Sequence, residues 1–339
     1  MTSGSYGSLR RPYGRLSATV DGTNEELSEG TMKDVRDSVL TAIGNTPVVR
    51  LRKVVDPGAG DVVVKLEFFS PTCSYKDRMA LAMIEGAEKR GDLRPGMQVL
   101  EYTGGSTGSS LAMVCAAKGY RFLALSSDAW SVEKLKTMRA LGAEVRVFPS
   151  EGGKITPGLM QRLKAEAERL SAEPGVYYTS QFHNADAITG YSAVGRELIE
   201  QVGDIDAFCG GVGTAGMLMG VSSVLKTRGC RIVALEPETS AVLTKGTPGP
   251  HHVEGIAAGF VPPHLKKEAY DEARAINEGE AREMARRLAR EEGVFAGVST
   301  GLNVVAALQI ARELGKGHVV ATVAVDTGLK YLAGDLFEP

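Results

Sequence analysis

The sequence lacks any long apolar run. No stretch of its 339 residues approaches the roughly 18 consecutive apolar residues that a membrane span requires. Residues 1–30 are rich in Gly, Ser and Thr and contain no hydrophobic segment of the kind found in signal peptides. We interpret residues 1–30 as a flexible N-terminal tail and expect a soluble protein without a membrane partner.

An excess of one charge is also absent, and so are closely spaced cysteines. The 39 basic and 41 acidic side chains give a formal net charge of -2. This balance argues against a nucleic-acid partner, because nucleic-acid-binding proteins carry a basic patch or stripe. The cysteines, which form no C-x-x-C pair, are Cys73, Cys115, Cys209 and Cys230. They indicate neither a metal site nor a disulfide framework, so we expect a reducing, cytoplasmic location.

Short apolar runs alternate with longer amphipathic segments along most of the chain. The strand-like runs are residues 61–67, 98–102, 121–125, 144–148, 176–178, 206–210, 231–236 and 319–325. This alternation predicts an α/β fold of two doubly wound domains with mostly parallel sheets. The chain length is also typical of two domains, since domains usually contain about 100–200 residues.

Parallel sheets bind ligands beyond the carboxyl ends of their strands, and three loops there are rich in small residues. In GGVGTAG (210–216), backbone amides at a helix start can cradle a phosphate. The loop lacks the Gly-Lys-Ser/Thr ending of a P-loop. It does spell G-x-G-x-x-G, but Pro237 directly follows Glu236, the acidic residue nearest the required offset. A dinucleotide site is therefore the weaker alternative.

The other two loops are TGGSTG (103–108) and AGVSTG (296–301). The first offers hydroxyls and free amides that suit a small anion, such as an amino-acid carboxylate. The second offers Ser299, a neutral donor or acceptor that can face a ring nitrogen. The alternative for each serine or threonine is a helix N-cap, which is the commoner role before a helix.

Lys76 lies in SPTCSYKDR (70–78), between a predicted strand and a predicted helix. A lysine at such a junction is usually solvated, and that is the alternative here. Together with the three loops, however, it completes the parts that hold pyridoxal phosphate (PLP) as a Schiff base and dock an amino acid beside it. We therefore predict a PLP site around Lys76.

These motifs resemble the cysteine synthase / cystathionine β-synthase family of PLP enzymes, which has the fold of the tryptophan synthase β subunit. The resemblance runs from about Ile43 to Phe337. Its motifs follow the family's order and are IGNTPVVRL (43–51), SPTCSYKDR, TGGSTG, QF (181–182), GVGTAG, LEPETS (235–240), EGIAAGF (254–260), EEGVFAGVSTG (291–301) and DTGLKYL (326–332). So many ordered motifs are far more specific than one.

The resemblance implies roles for individual residues. Lys76 is similar to the catalytic lysine, which carries PLP and moves the substrate's α-proton. Ser299 matches the serine that faces the pyridine nitrogen. The residues similar to the family's phosphate cradle are Gly213, Thr214, Ala215, Gly216 and Met217. Those placed at the substrate carboxylate are Thr103, Gly104, Ser106, Thr107 and Gln181, and Ser106 also falls beside the cofactor's 3′ oxygen.

The resemblance also implies a reaction, namely β-replacement on an activated L-serine. O-acetylserine would lose its acetate to give an aminoacrylate, and sulfide would add to form L-cysteine. The alternatives are β-elimination as in serine and threonine dehydratases, a specialised synthase that uses another nucleophile, and a turnover-deficient PLP-binding regulatory protein. A homodimer is expected and no metal is, since His251 and His252 have no further ligand spacing.

We expect PLP to lie in the cleft between the two domains. The first domain is predicted over residues 52–185, and the second over residues 31–51 together with 186–339. Four departures from the family pattern concern the substrate more than the cofactor. Gly104 stands for a serine, Ser106 for an asparagine, Met217 for a threonine and Leu329 for a glutamate.

Overall fold

Two β-sheets form the framework of the computed structural model, which describes residues 35–338. The predicted tail, residues 1–30, lies outside the described residues. The six-stranded sheet has the order β1-β2-β10-β7-β8-β9 and the four-stranded sheet the order β5-β4-β3-β6. The strands are β1 Val48–Arg50, β2 Asp61–Leu66, β3 Gln98–Tyr102, β4 Arg121–Ser127, β5 Glu144–Phe148, β6 Val176–Tyr178, β7 Ala207–Gly211, β8 Arg231–Pro237, β9 Glu272–Ile276 and β10 Val319–Ala324. β1 is antiparallel to β2, and the other described pairs are parallel.

Helices follow most of these strands, and local sequence signals mark several of their ends. The helix Pro157–Ser171 (α4) has proline at its first position, and the preceding Thr156 accepts a hydrogen bond from the Leu159 amide. Gly91 ends α1 in the left-handed conformation. The helices are α1 Lys76–Arg90, α2 Ser106–Lys118, α3 Val132–Ala140, α4 Pro157–Ser171, α5 Asp186–Val202, α6 Gly216–Leu225, α7 Val242–Lys245, α8 Glu278–Arg287 and α9 Val298–Leu314. None of the described helices is long and apolar enough to cross a membrane.

Helices cover both faces of each sheet. Successive side chains of a strand point to opposite faces, so they pack in different hydrophobic cores. In β2, Val63 packs in the core that contains α5 and α6, whereas Val62 and Val64 pack against α9. In β3, Val99 shares a core with α1 and α2, and Leu100 packs against α4. Each such fully buried side chain contributes about 1.5–3 kcal/mol. The predicted doubly wound α/β fold with mostly parallel sheets is confirmed.

Two strands were not predicted from the sequence. β1 is only three residues long, and β9 reads EARAI, in which charged residues alternate with small ones. The pairing of β1 with β2 also concerns the domain division, which stays a prediction. Because β2 pairs with β10, we propose that residues 48–66 belong with the domain that holds the six-stranded sheet, rather than being divided at residue 52.

A buried charge network connects α1 with Glu67, which directly follows β2, and with Glu197 in α5. The Arg78 guanidinium donates to Glu67 at 2.7 Å and 2.9 Å and to Glu197 at 2.7 Å and 2.8 Å. Glu67 is 0% exposed and Arg78 is 5% exposed. Burial alone would raise the pKa of Glu197, but hydrogen bonds and charge from Arg78 outweigh it and lower that pKa to about 2. Arg78 therefore balances Glu67, and it shares Glu197 with Lys65, whose Nζ lies 2.8 Å from that carboxylate.

Replacing Arg78 by Met should destabilise the fold by about 3–5 kcal/mol, because it leaves Glu67 buried without a counter-charge. Urea unfolding followed by circular dichroism measures the loss. The control is Arg50→Met, which breaks an ion pair with Asp61 whose side chains are 50% and 49% exposed and should cost about 0–1 kcal/mol. Equal losses in both variants would contradict the assigned role of Arg78.

Candidate active site

Lys76 is the first residue of α1 and lies next to the end of β10. The amide of Tyr75 donates to the carbonyl of Val325 at 3.1 Å, and Lys76 is only 8% exposed. Burial lowers the pKa of the Lys76 amine to about 8, against an opposing attraction to Asp326. Among the described residues Nζ forms no hydrogen bond, and the ring centroid of Tyr75 lies 4.8 Å away. Lys76 thus presents an amine that is partly neutral near neutral pH, as a nucleophile requires.

The loop between β7 and α6 offers an anion site. Ala215 is left-handed with φ of 66°, and within residues 35–338 the amides of residues 213–217 find no acceptor. A Cβ on Gly213 would overlap the carbonyl oxygen of Gly255, so this turn requires glycine. Free amides at a helix N-terminus are suited to bind a phosphate. The predicted residues Gly213, Thr214, Ala215, Gly216 and Met217 therefore fit the phosphate group of PLP.

The Met217 side chain stays out of this loop. It is 3% exposed and packs over β7, where a Cβ on Gly210 would come within 2.6 Å of its Cε. The departure from threonine therefore removes a hydroxyl donor without filling the loop.

Ser299 is the second residue of α9 and is 2% exposed. Its Oγ is buried and has no hydrogen-bond partner in the described part of the chain. A buried hydroxyl without a partner costs about 1–3 kcal/mol. This orphaned group fits a ligand acceptor or donor such as the pyridine nitrogen of PLP.

The predicted carboxylate site is assembled at the start of α2. Thr107 donates from Oγ1 to Oε1 of Gln181 at 2.9 Å, and Gln181 donates from Nε2 to the Tyr102 carbonyl at 3.3 Å. Thr103 accepts from the Gly105 amide at 3.3 Å. The structure thus brings Thr107 and Gln181 together, with Thr103, Gly104 and Ser106 on the same loop.

Aromatic packing connects Lys76 with the phosphate loop. The ring of Tyr75 lies against that of Tyr191, with centroids 5.3 Å apart, and a Cβ on Gly216 would come within 3.4 Å of the Tyr191 ring. No hydrogen bond among the described residues joins Lys76 directly to Ser299 or to residues 213–217. The Tyr75 and Tyr191 rings therefore link the segment of Lys76 to the start of α6.

Asp326 is a central residue that the sequence did not single out. Its carboxylate, in a residue only 4% exposed, accepts from Ser106 Oγ at 3.2 Å and from the Tyr331 hydroxyl at 3.1 Å. Its carbonyl accepts from the Gly297 amide at 3.2 Å, and an antiparallel bridge pairs it with Ser74. Its sequence signals were its position at the start of the motif DTGLKYL (326–332) and its place just beyond β10, where parallel strands position ligand-binding groups.

Glu101, at the end of β3, was also missed. It is 0% exposed and accepts hydrogen bonds from Thr179 Oγ1 at 2.6 Å and from the Gln181 amide at 3.0 Å. Burial raises its pKa to about 7, and the hydrogen bonds oppose that rise. Glu101 thereby positions the backbone of Gln181. A carboxylate inside the strand QVLEY was the available signal.

The Gly104 departure is explained by Trp130. A Cβ on Gly104 would overlap Cδ2 of the Trp130 indole. The position of the indole therefore excludes any side chain at residue 104. One turn further along, Lys134 pairs with Glu254 and its Nζ lies 5.1 Å from the Tyr331 ring centroid. The start of α3 is thus held over the loop. The fourth departure, Leu329, is 61% exposed.

The comparisons with known proteins agree with this geometry. The family model "Pyridoxal-phosphate dependent enzyme" matches residues 39–326. Cysteine synthase of Staphylococcus aureus (strain N315) is 45% identical over 306 residues, which cover 89% of this chain and 97% of that protein. O-ureido-L-serine synthase of Streptomyces lavendulae is 39% identical over 307 residues, covering 89% and 93%.

Solved structures give the same result. A crystal structure of O-ureido-L-serine synthase has a TM-score of 0.83 at 39% identity and covers 90% of this chain and 96% of its own. Cysteine synthase from Entamoeba histolytica has a TM-score of 0.84 at 32% identity, covering 96% and 95%. The protein is therefore a PLP-dependent enzyme. More closely, the chain belongs to the cysteine synthase / cystathionine β-synthase family, which confirms the resemblance, the fold and the cofactor predicted from the sequence.

The overlap at Gly104 predicts a steric coupling with Trp130. Gly104→Ser should destabilise the protein by about 1–3 kcal/mol through overpacking, and Trp130→Ala should relieve most of that loss in the double variant. Urea unfolding followed by circular dichroism tests both.

The matched control is Gly105→Ser, because the nearest atom to a Cβ there is 4.0 Å away and the side chain is accommodated. Losses that simply add in the double variant would refute the coupling.

Proposed function

We propose that this enzyme catalyses β-replacement on an activated L-serine, with O-acetylserine as donor and sulfide as nucleophile, giving L-cysteine. The observation that carries the proposal is the buried, partly neutral amine of Lys76 together with two sets of groups that find no hydrogen-bond partner within residues 35–338. These are the amides of residues 213–217 and the hydroxyl of Ser299. The 45% identity to a cysteine synthase supports the choice of reaction.

The cofactor-binding roles follow from the chemistry of each group. The amides of Gly213, Thr214, Ala215, Gly216 and Met217, with the start of α6, would hold the phosphate. Lys76 would carry the cofactor covalently, and Ser299 would face the ring nitrogen. When bound, PLP supplies an electron-withdrawing ring that stabilises negative charge at the substrate's α-carbon.

Lys76 then acts as the acid and base at the α-carbon. A group that removes and later returns one proton works best when its pKa lies near the working pH, and burial brings the pKa of Lys76 to about 8. Ser299 carries no charge, so it does not force a proton onto the ring nitrogen. This weakens charge storage in the ring and favours prompt departure of the β-substituent.

The substrate's carboxylate would dock at the start of α2. Thr103, Gly104, Ser106 and Thr107 supply hydroxyls and amides there, and Gln181 closes the site from the neighbouring segment. We also propose a cytoplasmic homodimer. The family supports the dimer, and the free cysteines support a reducing compartment.

A second candidate is a specialised synthase of another β-substituted alanine. The 39% identity to O-ureido-L-serine synthase keeps it open, and so does the altered loop. Gly104 lies under the Trp130 indole, and the Ser106 hydroxyl is engaged by Asp326. Both changes lie where the substrate would be held.

The cofactor assignment is tested by borohydride reduction of the PLP-loaded protein. Reduction should fix the cofactor on the peptide that contains Lys76, as detected by mass spectrometry, and the visible absorption band should disappear. Lys76→Ala should yield no modified peptide, whereas the exposed control Lys316→Ala should behave as the wild type. Modification of a different lysine would refute the role of Lys76.

The reaction is tested by adding O-acetylserine with and without sulfide and assaying products. We expect L-cysteine that depends on sulfide. Pyruvate without cysteine would indicate β-elimination, and O-ureido-L-serine formed with hydroxyurea would indicate the second candidate. An absorption spectrum unmoved by O-acetylserine, phosphoserine, serine or threonine would identify a turnover-deficient protein.

A further inference from the structure

Lys330 is a half-buried lysine near the site, and the proposed function does not use it. It lies in the 3₁₀ turn Gly328–Tyr331 that follows β10. Its Nζ donates to Ser106 Oγ at 3.2 Å. Burial lowers the pKa of Lys330, against an opposing attraction to Asp326. A lysine withdrawn from water in this way is costly unless it is paired or has a function.

Ser106 bridges Lys330 to Asp326. Its hydroxyl accepts from Lys330 Nζ and donates its single hydrogen to Oδ2 of Asp326 at 3.2 Å. The Tyr331 hydroxyl lies 3.1 Å and 3.2 Å from the two oxygens of the same carboxylate. The serine side chain at residue 106 is short and leaves space for the Lys330 ammonium. A lysine distant in sequence therefore reaches the loop of residues 103–108, which is proposed to hold the substrate's carboxylate.

Asp326 is close to the segment of one lysine and linked to a second. Its backbone bridges to Ser74, two residues before Lys76, and Ser106 joins its carboxylate to Lys330. Attraction to its carboxylate is the influence that opposes burial for Lys76, and the first such influence for Lys330. Three other titratable groups lie near Lys330, namely Lys134, Asp77 and Cys73. Two tyrosines, Tyr75 and Tyr331, lie near Asp326. One carboxylate thus influences both the lysine proposed to carry PLP and Lys330.

We propose that Lys330 is a positioning residue of the cofactor site. Acting through Ser106 and Asp326, it controls how strongly the Asp326 carboxylate attracts the Lys76 amine. This inference rests on the proposed function of Lys76. Lys330 itself forms no bond to substrate or cofactor in this role; it acts by competing for the carboxylate.

The competition has a definite sign. Without the Lys330 ammonium, Asp326 keeps Lys76 as its remaining cationic neighbour, which stabilises the protonated Lys76 amine and raises its pKa. Only the neutral amine can attack the aldehyde of PLP, forming a C=N bond with loss of one water. A higher pKa therefore leaves less reactive amine at neutral pH and moves cofactor uptake to higher pH.

The test measures the rate of PLP uptake by the cofactor-free protein as a function of pH, followed by absorbance. For Lys330→Met we expect the midpoint of the pH profile to move up by roughly one unit, and uptake near neutral pH to slow about tenfold. Lys330→Arg keeps the charge and should restore the wild-type profile. Lys316→Met removes a charge from an exposed residue before β10, at the opposite end of that strand, and should leave the profile unchanged.

The outcomes separate this inference from the function on which it rests. If the wild type takes up no PLP, both fail. If it takes up PLP but the Lys330→Met profile coincides with wild type or moves to lower pH, only the role of Lys330 fails. A shift of equal size in Lys330→Arg would also overturn it, because charge would then not be the cause. Circular dichroism of each variant verifies folding.

Discussion

The buried carboxylate of Asp326 is the constraint on which the site depends. It stands just after β10, an inner strand of the six-stranded sheet, and is 4% exposed. A charge in that position is tolerated only with hydrogen bonds and counter-charges. Hydrogen bonds from Ser106 and Tyr331 meet that need, and Ser106 also links the carboxylate to Lys330. The backbone of residue 326 bridges to Ser74 and accepts from Gly297. The segments that carry Lys76, residues 103–108 and α9 are therefore fixed against one residue.

Around this fixed point the protein keeps several polar groups without partners. The amides of residues 213–217 and the hydroxyl of Ser299 find no acceptor or donor in the described chain. Unmade hydrogen bonds of this kind reduce the free energy of unfolding by about 1–3 kcal/mol for each buried group. The packed cores on both faces of each sheet offset that cost, and a ligand that satisfies these groups stabilises the fold when it binds. The site is thus preorganised for an anionic, aromatic cofactor.

Much of this arrangement follows from local sequence patterns. Apolar alternation located most strands, and the rule that parallel sheets bind ligands at their carboxyl ends selected the loops of Lys76, Gly213 and Ser299. The residues that were missed act through contacts distant in sequence. Asp326 lies 220 positions from its partner Ser106, and Glu101 looks like an ordinary strand residue until burial makes its carboxylate a hydrogen-bond centre. No local pattern reports such contacts, and the three-residue β1 is too short to show a periodicity.

The departures from the family pattern gain meaning from these same distant contacts. Glycine at residue 104 admits the Trp130 indole, and serine at residue 106 admits the Lys330 ammonium. In both cases a smaller side chain in the loop is matched by a larger one from another segment, so volume and charge beside the proposed carboxylate site are supplied by other residues. The proposed phosphate contacts of residues 213–217 are backbone amides, which do not depend on the side chains of the loop. Substrate choice can therefore change while the cofactor chemistry of the family is retained.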